Sequence, residues 1–192
     1  MKSLAAIALA LALPSAAAAA DFTSDYTKVG SQEDGVCTVI AQAAEGEGDW
    51  ADIVCRGYAN YPYVINYGDA RETITYGFSQ NRVMPSFAPF NYTHDTIEWR
   101  LLTENGVKRP VAAIHRWFVS NGEGESTTQI LVVSKVGQPD GSGEACVMGY
   151  VAAADGAPAN ERARAMADKV LDWECGSEIM VEPAIREFVP TP

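Results

Sequence analysis

The sequence is poor in the residues that catalysis most often uses. Its 192 residues include two histidines, His94 and His115, and no C-x-x-C pair. It has no G-x-S-x-G elbow, P-loop, dinucleotide fingerprint or H-E-x-x-H helix. Those absences argue against thioredoxin-like and zinc-ribbon chemistry, the α/β-hydrolase nucleophile, nucleotide binding and zinc proteolysis. No cofactor and no metal is expected. A glycosidase-type carboxylate pair is not excluded, because it leaves no local signature. Basic charge is also scarce: 14 Lys and Arg stand against 25 Asp and Glu, a formal net charge of −11. Such a surface repels nucleic acid and anionic membranes and favours a cationic protein partner.

Long apolar runs are missing apart from Leu4 to Leu13, which is too short to span a bilayer. That run follows Met1-Lys2 and precedes Pro14-Ser15 and Ala18-Ala19-Ala20, the order of a cleavable signal peptide. We therefore expect a signal peptide over 1–20, cleavage between Ala20 and Asp21, and one secreted domain over 21–192. The product is then periplasmic or extracellular, with no membrane association after leader cleavage. Cleavage removes Lys2 and no acid, leaving 13 basic and 25 acidic residues and a charge of −12. Four cysteines in an exported chain predict two disulfides. Of the three connectivities we favour Cys37–Cys55 and Cys146–Cys175.

The patterning predicts an α+β fold, mainly antiparallel sheet, with hairpins, a four-strand meander and one C-terminal helix packed on it. Residues 21–35 read as a loose N-terminal arm or edge segment. Cys37 to Ala41 and Trp50 to Cys55 flank a Glu45-Gly46-Glu47-Gly48 turn. A hairpin centred on Gly46 sets Cys37 opposite Cys55, Val39 opposite Ile53 and Ala41 opposite Ala51. Tyr63 to Tyr67 and Arg71 to Tyr76 alternate around a Gly68-Asp69 turn, a second hairpin. Residues 80–94 form the longest irregular connection. Asn105-Gly106 is a strong hairpin signal. Its simplest register pairs Ile97 with Ile114, Trp99 with Ala112, Thr96 with His115, Asp95 with Arg116 and His94 with Trp117. The continuous run Ile130 to Val133 marks a central strand buried on both faces. Ala159, Ala163, Met166, Val170 and Trp173 repeat at helical spacing and predict a helix over 158–173, followed by an extended tail over 177–192.

Three sets of residues are candidates for function. His94 and His115, with Asp95, fall on adjacent strands and offer an acid–base dyad or metal pair, although no third ligand is apparent. Tyr58, Tyr61, Tyr63 and Tyr67 offer an aromatic platform for a glycan or peptidoglycan. The acidic groups Glu45, Glu47, Asp49 and Asp52, and Asp140 with Glu144, lack the spacing of a calcium loop.

Ala88-Pro89-Phe90-Asn91, Ile97-Glu98-Trp99-Arg100-Leu101, Arg116-Trp117-Phe118 and Glu144-Ala145-Cys146 carry a resemblance. Through them the chain resembles small exported proteobacterial proteins of uncharacterised function. The resemblance implies export and no particular activity. The expected role is a soluble binding or inhibitor-like domain without catalysis, its partner a cationic protein or a cell-wall glycan. The alternatives are a hydrolase or metal-assisted enzyme using His94 and His115, and glycan binding through the tyrosine-rich hairpin.

Overall fold

A computed structural model describes residues 20–79, 84, 86–122 and 126–190. The predicted signal peptide therefore lies outside the described residues, save Ala20, as do 80–83 and 85 of the long connection. The strands follow the apolar runs: β1 Phe22–Lys28, β2 Cys37–Gln42, β3 Ala51–Arg56, β4 Pro62–Gly68 and β5 Arg71–Tyr76. They continue as β6 Asn91–Glu104, β7 Val107–Ser120, β8 Thr127–Lys135 and β9 Cys146–Ala152. Helix α1, Ala157–Ala167, comes next, and the two-residue β10, Met180–Val181, lies in the tail.

Two sheets result. One has the order β1-β6-β7-β8-β9-β10, and the other β2-β3-β4-β5. The meander β6 to β9 forms the middle of the larger sheet, and Leu131 and Val133 on β8 face α1 while Ile130 and Val132 face the smaller sheet. Ile97, Trp99, Leu101, Trp117 and Tyr150 pack with Tyr63, Ile74, Tyr76 and Phe87 between the sheets. The molecule is thus three layers: helix, six-stranded sheet and four-stranded sheet. Both disulfides form as expected, Cys37–Cys55 with 4.0 Å between Cα atoms and Cys146–Cys175 with 5.8 Å. The close Cα approach suits the laterally paired cysteines of β2 and β3.

Bulges change several registers. The β2–β3 ladder pairs Cys37 with Cys55 and Val39 with Ile53, then shifts so that Ala41 faces Asp52 rather than Ala51. The β6–β7 ladder starts as expected from Asn105-Gly106, whose φ angles of 52° and 76° suit a type I′ turn. A bulge between Arg100 and Leu101 then sets Trp99 opposite Ala113 and Ile97 opposite His115, correcting the predicted partners Ala112 and Ile114. Asp95 and Arg116 do not pair; Asp95 meets Lys28, and Arg116 reaches Gln129. The second turn centres on Asp69-Ala70, one residue later than predicted, with Gly68 opposite Arg71.

Residues 22–28 are no loose arm. They form the edge strand β1, paired along its whole length with β6. The seven-residue backbone ladder and Thr27, whose hydroxyl accepts from Trp99 Nε1 at 2.8 Å, hold a segment too polar to look like a strand. The helix stops at Ala167, short of 173, and a 3-10 turn over Val170–Asp172 carries the chain on. Ala159, Ala163, Ala167 and Val170 are its buried stripe, with Met166 and Trp173 half-buried. The alanines let α1 lie close on β7, β8 and β9. The tail is not simply extended: β10 runs parallel to β9, and Ile185 is buried in a second 3-10 turn.

The sheets are zipped at one corner. Gly137 N donates to Tyr76 O and Phe78 N to Gly137 O, each at 2.9 Å. A Cβ on Gly77 would lie 2.2 Å from Gly137 O, so this approach requires glycine.

Candidate functional site

The structure separates the two histidines by environment. His115 is buried between the sheets, its Nδ1 2.8 Å from Tyr76 Oη and its Nε2 2.6 Å from the carbonyl oxygen of His94. The carbonyl can only accept, so Nε2 carries the proton and Nδ1 accepts from the tyrosine. Burial pushes the ring down to about 4 and keeps it neutral. Both nitrogens are engaged, which leaves none for a metal or a substrate proton. His94 is exposed and its Nδ1 lies 3.0 Å from Asp95 Oδ1, with Lys28 on the other carboxylate oxygen. Lys28 and Thr96 hydrogen bonds hold the Asp95 carboxyl below its usual range. Among the described residues no three His, Cys, Asp or Glu side chains gather to hold a metal ion.

The four tyrosines do not form one platform. Tyr63 is fully buried and its hydroxyl accepts from Gly30 N at 2.8 Å, because the inward face of β4 carries it. Tyr58 and Tyr61 pack half-buried against the core, and Tyr61 donates to Gln138 Oε1 at 3.2 Å. Tyr67, at the end of β4, is exposed and lines a cleft.

That cleft is the feature the rest of the molecule does not consume. Its volume is about 300 Å³, and Tyr67, Ala70, Glu72, Phe90, Tyr92 and Thr127 are among its lining residues. Phe90 and Ser120 also line an adjoining cleft of about 730 Å³, which contains Arg71, Asn121, Thr128 and Glu187. Both volumes are of the size small-molecule sites use. Phe90 and Tyr92 are 54% and 53% exposed, unusual for large rings lacking a covering partner. Tyr92 stacks on Phe118 at 4.9 Å between ring centroids, and His94 lies 6.1 Å from the same phenyl ring. Thr93 donates through N and Oγ1 to Glu72 Oε2, so it faces the smaller sheet and Tyr92 faces the helix side. The helix does not reach this end. The aromatic surface is an uncovered continuation of a sheet face.

The walls are fixed. Asp69 and Ala70 hold φ angles of 50° and 54°, a costly conformation for alanine. Asn91 N donates to Ala70 O and Arg71 Nη1 to Asp69 O, which lock the turn. Arg71 Nε donates to Ala88 O at 2.8 Å and its guanidinium lies 4.8 Å from the Phe90 centroid. Asn91, buried, donates to Ser86, Phe87 and Pro89 and accepts from Glu72 N. Burial raises the Glu72 carboxyl above its ordinary value, against the lowering effect of the Thr93 hydrogen bonds.

Sequence reasoning singled out Tyr67, marked the 80–94 connection that holds Phe90 and Tyr92 only for its length, and missed Arg71, Phe118, Thr128 and Glu187. The available signal was the aromatic pair Phe90 and Tyr92 around the Asn91 that begins β6. No protein family, curated protein or solved structure matches the chain.

Proposed function

We propose that the chain is an exported, non-catalytic binding domain whose ligand is a cell-wall glycan seated on Tyr67, Phe90 and Tyr92. The observation that carries the reading is that three exposed aromatic residues, Tyr67, Phe90 and Tyr92, line one cleft together with Ser120 and Thr127. A sugar ring offers an apolar C–H face and a rim of hydroxyls, and such a cleft provides for both. The leader sequence and two disulfides support a periplasmic or extracellular setting, where the cell-wall glycan is available. The absence of free donor nitrogens on His115 favours binding over catalysis at the histidines.

Calorimetric titration with chitotriose, and cosedimentation with purified peptidoglycan, test the reading. Binding that falls at least about tenfold in Phe90→Ala and Tyr92→Ala is expected, the loss typical of a central aromatic contact. Binding equal to wild type in both variants, or none in wild type, ends it. A cationic protein is the second reading, supported by the charge of −11 and by Trp50, 43% exposed beside the acidic 45–49 turn. Capture that weakens sharply between low and high salt, and is lost in Trp50→Ala, would favour it.

A further inference from the structure

We infer that the larger cleft receives a zwitterionic peptide attached to the glycan, so that the ligand is a muropeptide rather than a bare sugar chain. The inference rests on the glycan reading and adds the charged half of the site. The two clefts share Phe90 and Ser120 as a common wall, so one ligand can occupy both. Their chemistry differs. The smaller has three aromatic residues among its lining and one carboxyl, Glu72, whereas the larger holds one charge of each sign, Arg71 on β5 and Glu187 on the tail.

Both charges have unused capacity. Arg71 spends Nε on Ala88 O and Nη1 on the Asp69 carbonyl and on the Asp69 carboxylate, with which it forms an ion pair, and stacks against Phe90. Among the described residues its Nη2 has no partner. Glu187 accepts no hydrogen bond and forms no ion pair among the described residues, and its side chain is exposed. An oriented guanidinium edge is a carboxylate receptor. A lone carboxylate on the facing segment is a receptor for an ammonium group.

Three ligand types can be compared. A neutral sugar in the larger cleft would return hydroxyl hydrogen bonds to both groups but no opposite charge to either. An anionic sugar would satisfy Arg71 but meet Glu187 and the field of a chain with net charge −11. A peptide with a free carboxylate and a free amine answers both charges and adds no net charge. Peptidoglycan stem peptides whose diamino acid is lysine and whose glutamate carboxyl is amidated belong to that class, and they are joined to the sugar that the aromatic cleft would seat.

The test is calorimetry with the mature protein and three probes: chitotriose, a free tetrapeptide stem with lysine and amidated glutamate, and a disaccharide tetrapeptide carrying the same stem. The muropeptide should bind roughly tenfold or more tighter than chitotriose, since each added charge-assisted contact is worth about that factor. Glu187→Gln should cost the muropeptide about fivefold to tenfold and leave chitotriose unchanged. Acetylating the amine of the muropeptide should reproduce that loss in wild type and add nothing to it in Glu187→Gln. Arg71→Lys should weaken the muropeptide more than chitotriose. Because Arg71 also supports residues 88–90, Glu187→Gln on the exposed tail carries the test if the Arg71 variant is misfolded. Equal affinities for chitotriose and muropeptide overturn the inference and leave the glycan reading standing. Binding of the free stem as tight as the muropeptide, with none of chitotriose, overturns both.

Discussion

One face of the six-stranded sheet is treated in two ways along its length. Over the part beneath α1, four charged side chains form two ion pairs. Arg100 binds Asp168 through Nε and Nη2, each at 2.8 Å, and Arg164 reaches both oxygens of Glu98, at 2.6 and 3.2 Å. Ser24 on β1 joins the two pairs, accepting from Arg100 and donating to Glu98. Past the helix the same face carries exposed Tyr92 and His94 around half-buried Phe118. The first region resembles an interior with ions held in place; the second resembles an interior without its cover. A sheet face built alike but covered over half its length shows where the fold closes over its own sheet and where it leaves side chains exposed.

Breaking the matched region should have the largest effect. Arg100 is 8% exposed at its side chain, and its removal leaves Asp168 and the Ser24 hydroxyl without their donor. Arg100→Ala should lower unfolding stability by about 3 kcal/mol, the usual cost of orphaning one member of a buried pair. Urea denaturation measures it. A loss well below 1 kcal/mol would mean that the network is no tighter than a surface cluster, and the contrast between the two regions would fall.

His115, beneath the boundary between them, gives a pH-dependent test of how closed the interior is. Unfolded, it titrates near the ordinary 6.5; folded, at about 4. Between those values the unfolded chain binds a proton that the folded chain refuses. Its contribution to stability is therefore complete above pH 6.5 and is lost as pH falls towards 4, to a total of about 3 kcal/mol. Glu72, raised above its ordinary 4.5 by burial, acts in the opposite sense, its contribution being lost as pH rises through its folded value. The difference between wild type and His115→Gln isolates the histidine. Wild type should lose more stability than the variant from pH 6.5 to 4. Parallel curves would show that water reaches the ring.

The covered region was largely legible in the sequence and the open one was not. Ile130 to Val133 revealed a strand buried on both faces, Asn105-Gly106 a hairpin, and the cysteine pattern both disulfides, because each depends on local pattern. The Arg100–Leu101 bulge was invisible, since it depends on how β6 and β7 share twist in the assembled sheet. It moved His115 opposite Ile97 and dissolved the expected Asp95–Arg116 pair. β1 was legible only as one of two alternatives, a loose arm or an edge segment, because an edge strand is held by its backbone ladder and needs few apolar side chains. The cleft draws on β4, β5, β6, β7, β8 and the tail, and only the fold brings Tyr67, Tyr92 and Glu187 to the same end.

On the open half, Tyr92→Ala should remove the stacked contact with Phe118 and cost about 1 kcal/mol or less of stability. The same change should cost about tenfold in glycan affinity, a free energy slightly above that stability loss. A stability loss several times larger, read in the same urea experiment as Arg100→Ala, would make Tyr92 a core residue and its exposure incidental.

The smallest effect belongs to the ion pair at the rim of the aromatic surface. Lys28 Nζ lies 2.8 Å from Asp95 Oδ2, but their side chains are 70% and 62% exposed. Water screens such a pair, and holding two long side chains together costs entropy that offsets the attraction. Lys28→Ala should leave the urea midpoint indistinguishable from wild type at moderate salt, although the Asp95 carboxyl loses the chief interaction holding it below its usual range. A clear destabilisation would require Lys28 to support more than Asp95 and Thr96, most directly the β1 ladder beside it. The edge strand would then extend the matched region to this rim, and the division of the sheet face would lie nearer Tyr92 than the end of the helix suggests.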